Sequence, residues 1–223
     1  MRANLRRRLE MAERVRDFLR AHQLDGIGEG LGLAKLEGLL ERAEVLKGQQ
    51  RAGVAMARAA AKHRRDVRTT LQDEILRYLR VVGRVAAKQK GELANQFPLP
   101  AENSTNDALL TAARKTLEQA TAQKDVFVGL GMSPQVLDDL ARALSEFDQT
   151  VAASREGRRD HVGASAELEA VASEITEQVQ LLDGVVKYRF AKDAELLAAW
   201  HSVRNVVGPF KPKEGGGQAP KAA

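Results

Sequence analysis

Arg51, Arg58, Lys62 and Arg65 recur at spacings of seven, four and three residues. At 3.6 residues per turn these spacings bring all four cations to one face of a helix. Such a stripe can neutralise phosphates, the basic chemistry of a nucleic-acid backbone contact. Arg77, Arg80, Arg84 and Lys88 form a second series, and Arg6–Arg8 and the tail lysines add to the total. The specific companions of nucleic-acid readers are absent from the sequence: it has no zinc-finger spacing, no basic zipper and no aromatic platform for unstacked bases. Solvated or internally paired cations are therefore the first expectation for Arg51, Arg58, Lys62 and Arg65, and nucleic-acid binding is the alternative.

Other chemistry is harder to assemble. The histidines are His22, His63, His161 and His201, preceded three positions earlier by Leu19, Ala60, Arg158 and Ala198. None forms the Glu-x-x-His pair that metal-binding bundles use. GIGEGLG (26–32) superficially resembles a phosphate loop, but no Gly-Lys-Ser/Thr follows it and no strand precedes it. No serine stands in a Gly-x-Ser-x-Gly elbow. The pairs Asp73–Glu74 and Asp138–Asp139 are helix neighbours that point about 100° apart, so they do not converge on one substrate atom. An enzyme would have to draw on polar residues such as Asp160, His161, Tyr188 and Trp200, which no spacing joins. The expectation is no catalytic residue, no cofactor and no metal.

The elements that must position these residues read as helices throughout. Aromatics are 4% of the 223 residues, so a core must be built from Leu, Val and Ala, which suits helices in close contact. Leu5, Leu9, Ala12, Val15 and Leu19 mark a first helix over 3–22. The four glycines of DGIGEGLG (25–32) predict a turn. A proline-free stretch from Leu33 to Gln96 follows and predicts one long helix, with breaks conceivable near 48–53 or 64–70. Its Ala- and Gly-rich middle (51–63) would let a neighbouring helix approach closely. FPLPAENSTND (97–107) ends it, with Ser104, Thr105 or Asn106 as the next cap. A helix to about Val126, a break at GLGMSP (129–134) and a second long stretch to about Val207 complete the pattern. The tail from 209 to 223, with its glycine run and prolines, is expected to be disordered.

Short helix then long helix thus occurs twice. RAG (51–53) matches REG (155–157), and AAKQKGELANQF (86–97) matches FAKDAELLAAWH (190–201), both at an offset near 104. The expected fold is all-α: an elongated antiparallel bundle of two helical hairpins, 1–98 and 99–208, packed as one folded unit with a possible pseudo-twofold and an internal repeat. Residues 1–98 carry 21 Lys and Arg against 12 Asp and Glu, while the remainder carries 14 against 18. This asymmetry predicts either complementary packing of a basic and an acidic half or nucleic-acid affinity. The sequence contains no cysteine, no signal-peptide core and no membrane span, which points to the cytoplasm. The functional expectation is a non-enzymatic helical bundle acting as scaffold, adaptor or assembly subunit, with a protein partner or a second copy of itself. The alternative is a nucleic-acid-binding accessory protein using the basic half.

Overall fold

The computed structural model describes residues 3–22, 27–89, 91 and 96–207. The expected disordered tail, 209–223, lies outside them. All regular structure among the described residues is helical: α1 (Ala3–Ala21), α2 (Ile27–Thr69), a π-helical segment (Thr70–Leu76), α3 (Arg77–Gln89), α4 (Asn106–Ala122), α5 (Lys124–Gly129), α6 (Gln135–Arg189) and α7 (Ala194–Val203). The fold is the all-α bundle that the periodicity predicts, with long helices packed against each other. The first long helix is continuous, but its pitch loosens over the π segment, where Leu71, Gln72, Ile75 and Leu76 are buried.

By their contacts, the residues form two compact units, Met1–Arg51 with His161–Ala223, and Ala52–Asp160. Each unit takes a short helix, one end of α2 and the opposite end of α6, so each draws on both halves of the sequence. The FPLPAENSTND connection lies inside the second unit.

In the first unit, α1 buries Leu5, Leu9, Ala12, Val15 and Leu19 as their spacing requires, together with Met11 and Phe18. Burying one such leucine fully contributes about 1.5–3 kcal/mol. They meet Leu36, Leu40 and Leu46 of α2 and Leu168, Ile175 and Leu182 of α6. Arg14 donates to the carbonyl oxygens of Val203 (3.4 Å) and Asn205 (2.7 Å), satisfying acceptors that the end of α7 leaves without partners.

Two sequence expectations need correction here. The glycine-rich stretch at 27–32 is helical, not a turn. Gly32 explains why a helix keeps glycine there: an added Cβ would lie 2.9 Å from Leu182 Cδ2 and 3.4 Å from Gln178 Nε2. The missing side chain admits α6, and Gln178 Nε2 donates to the Gly32 carbonyl at 3.1 Å. The second long stretch also does not continue to Val207. It stops at Arg189, and α7 restarts on Asp193, whose carboxylate accepts from Leu196 N at 2.9 Å.

In the second unit, Leu71, Leu79, Leu109, Leu140, Phe127 and Phe147 belong to a separate core. Thr105 caps α4 by accepting from Ala108 N at 3.2 Å, one of the three caps the sequence offered. Arg68 reaches the same corner, donating to Asn106 Oδ1 (2.9 Å) and the Ser104 carbonyl (2.7 Å). Gly131 turns the chain with φ +91°, a conformation that glycine adopts without strain. Phe97 packs on Phe127 with centroids 5.3 Å apart, and its ring fills the space beside Gly83 where a Cβ would stand. The small-residue stretch of α2 does admit its neighbour: a Cβ on Gly157 of α6 would lie 2.8 Å from both Ala57 N and Gly53 O.

Candidate functional site

The four cations singled out by spacing stand on one long helix, and all are exposed. The side chains of Arg51, Arg58, Lys62 and Arg65 make no ion pair or hydrogen bond among the described residues; the Arg65 carbonyl accepts from Thr69 Oγ1 at 3.1 Å. Nearby, His63 Nε2 meets Glu146 Oε1 at 2.7 Å. In the first unit Arg42 approaches Glu167 at 3.7 Å. These two contacts join the basic and acidic sequence halves. Both pairs are solvent-exposed and so contribute little, about 0–1 kcal/mol each.

In the second basic series, Arg77 is held by Asp73 at 2.9 Å one turn back, while Arg80, Arg84 and Lys88 carry no partner among the described residues. Beside them on α3 lie Tyr78, Val81 and Val85, which are 40%, 54% and 46% exposed. Their spacing of i, i+3 and i+7 places all three within a 60° arc of the helix. Leu79 and Ala86, about 110–130° round α3 from this row, are in the core. An apolar row left in water while the helix is already packed on another face is the geometry by which a helix offers itself to another helix. The basic spacing was legible in the sequence. The apolar row was not singled out, although Tyr78, Val81 and Val85 off the core phase of Leu79 and Ala86 were its signal.

The polar residues weighed for catalysis do not assemble. Tyr188 is 89% exposed and Trp200 is fully buried. His161 borders a cleft of about 550 Å³ in the first unit, with Gln50, Ser165 and Glu169 also on its wall. Ser165 there accepts from Gln50 Nε2 (2.8 Å) and donates to the His161 backbone carbonyl (2.6 Å). His161 Nδ1 faces the Gln50 carbonyl at 3.4 Å. The serine proton thus goes to a main-chain oxygen and not to an imidazole, so the pair lacks the nucleophile–base contact of covalent catalysis. Among the described residues no three His, Asp or Glu side chains are grouped closely enough to hold a metal.

A further cluster escaped the sequence reading. Trp200 Nε1 donates to Asp183 Oδ1 at 2.8 Å, Lys187 Nζ lies 2.8 Å from Oδ2, and Arg204 Nε approaches at 3.4 Å. Burial pushes the Asp183 carboxyl up, but the hydrogen bonds from Lys187 and Trp200 and the charges of Arg204 and Lys187 outweigh it and hold the group below its ordinary value. Phe18 packs on the indole with centroids 5.4 Å apart. The cluster anchors α7 on α6 and α1, and its donors are already spent on Asp183. Asp183 and Lys187 at i, i+4 were its only trace in the sequence.

No protein-family model, no curated protein sequence and no solved structure matches this chain. No helix among the described residues is long and apolar enough to cross a membrane.

Proposed function

We propose that the protein is a non-enzymatic assembly subunit, a duplicated helical bundle whose role is to associate with a second copy of itself through α3. The exposed row Tyr78, Val81 and Val85 carries this reading. Two copies of α3 laid antiparallel about Val81 pair position i with 162 − i. Tyr78 then faces the guanidinium of Arg84 in the second copy, a cation–π arrangement. Glu74, near the end of the π segment that leads into α3, exposed and without an ion pair among the described residues, comes level with Lys88. The surface is therefore complementary to itself in charge, as a twofold interface requires, with Val81 meeting its own copy at the centre.

The duplication finds support in unit two. The glycines of the matching triplets, Gly53 of RAG and Gly157 of REG, meet in a close contact of α2 with α6. Duplicated hairpins bring equivalent positions together in this way when they pack against each other.

Sedimentation velocity at micromolar concentration tests the proposal. The wild type sediments as a dimer or larger species. Val81→Asp, which sets a charge in the middle of the row without touching the core, sediments as a monomer with unchanged helicity. A wild type that is monomeric throughout the micromolar range contradicts the reading.

A further inference from the structure

Along α2 and α6 themselves, one flank of their pairing in the second unit gathers basic and apolar residues, a segregation that the sequence conceals; at its far end Arg68 is bound to Ser104 and Asn106. Residues 155–160 read as three arginines mixed with Glu156 and Asp160, inside the half of the chain that is acidic overall. Two observations fix how the helices are turned. Position 157 faces Gly53, Met56 and Ala57 of α2. The His63–Glu146 contact marks one flank. At about 100° per residue, Glu156, Asp160 and Asp66 fall on that same flank. The opposite flank takes Arg58 and Arg65 from α2 and Arg155 and Arg158 from α6, with Val54, Ala61 and Val151 between them. Lys62 stands at its outer edge. All five cations are exposed and none of their side chains has a partner among the described residues.

The antiparallel register sets their spacing. Position 157 is level with 53–57, so Arg155 is level with Arg58. Arg158 lies nearly a turn beyond them and Arg65 two turns the other way. The row spans about 15 Å at 1.5 Å per residue, a little under half a turn of duplex DNA. Four of the five cations are arginines, whose planar forks match phosphate oxygens. No aromatic ring on the flank could stack an unpaired base. Its apolar residues are small and half-buried, unlike the Trp, Phe and Leu that enter a bilayer.

We infer that this flank binds the phosphate backbone of double-helical nucleic acid without reading sequence. The site extends the Arg58–Lys62–Arg65 stripe of α2 with Arg155 and Arg158 of α6, and it is separate from the α3 surface.

Fluorescence anisotropy with duplexes of about 20 base pairs, one of DNA and one of RNA of the same sequence, tests it. Four phosphate contacts give a log Kd against log salt slope of about 3 to 4 for DNA, so affinity falls roughly 100-fold between about 50 and 200 mM salt. Scrambling the duplex sequence leaves the affinity unchanged. Arg58→Gln with Arg158→Gln lowers the slope by about 2 and weakens binding at least roughly tenfold. Lys115→Gln with Lys124→Gln, the same charge change at exposed positions elsewhere, retains the wild-type slope. The relative affinity of the DNA and RNA arms identifies which duplex the flank prefers. Absence of binding to both duplexes at about 50 mM salt overturns the inference, as does equal loss in the two double variants. Tighter binding to a polyglutamate peptide or to vesicles containing phosphatidylserine than to either duplex also overturns it.

Discussion

Gly157→Leu is expected to be among the most destabilising single substitutions in the second unit, and Gly163→Ala, less than two turns along the same helix, to be stabilising. Glycine inside a helix costs about 0.5–1 kcal/mol relative to alanine. Gly163 has no atom within 4 Å of where its Cβ would stand, so alanine there should recover that amount. Gly157 differs because its added Cβ would lie 2.8 Å from Ala57 N and Gly53 O. These are backbone atoms of α2, which cannot rotate away as a side chain would, so the helices must separate. Gly157→Ala should lose about 1–3 kcal/mol net, with leucine at or beyond the upper end. Urea unfolding followed by far-ultraviolet circular dichroism measures both positions. Equal gains from alanine at 157 and 163 would show that the helices do not touch there.

Trp200→Ala should cost about 3–5 kcal/mol in the first unit, the range for deleting a fully buried large aromatic. The loss has two parts, because the indole fills the core beside Phe18 and also donates to Asp183. Trp200→Phe separates them. It retains most of the apolar bulk and removes only the donor, for about 1–2 kcal/mol. The pH dependence follows in sign. Asp183 is held below its ordinary carboxyl value in the folded protein, so its contribution is fully present above the unfolded value, about 3.9, and is lost as pH falls through the folded one. The gap between wild type and Trp200→Phe should therefore narrow in acid below about pH 4. A gap that widens there would mean the indole does not stabilise the ionised carboxylate.

The helices were legible because their apolar residues recur at three and four and because prolines and caps punctuate them. Leu5 to Leu19 of α1, the Thr105 cap and the Gly131 turn were all readable on those grounds. Glycine at 27–32 misled because two uses of glycine look alike in sequence. A turn needs its backbone freedom, whereas Gly32 supplies an absent side chain for Leu182, some 150 residues away. The end of α6 was hidden because no proline or glycine marks it, and Asp193 stands among enough other charged residues to read as one more solvated position.

The candidate surfaces were half visible. Spacing alone placed Arg58, Lys62 and Arg65 on one face, since that depends only on α2. Their continuation through Arg155 and Arg158 depends on how α6 is turned against α2, which a sum of charges over the acidic half obscures. The α3 row was obscured for a similar reason. Leu79 and Ala86 mark the core phase in the sequence itself, but whether another helix covers Val81 and Val85 depends on the packing.

The most direct test of self-association through α3 is a charge exchange measured by sedimentation equilibrium. Glu74→Lys and Lys88→Glu each set like charges against each other in the antiparallel pair and should weaken dimerisation. The double variant, carrying both, restores opposite charges and should recover most of the lost affinity at low salt. Recovery in the double variant is the predicted result. Two single variants that associate as the wild type does, or a double variant as weak as the singles combined, would contradict an α3–α3 interface.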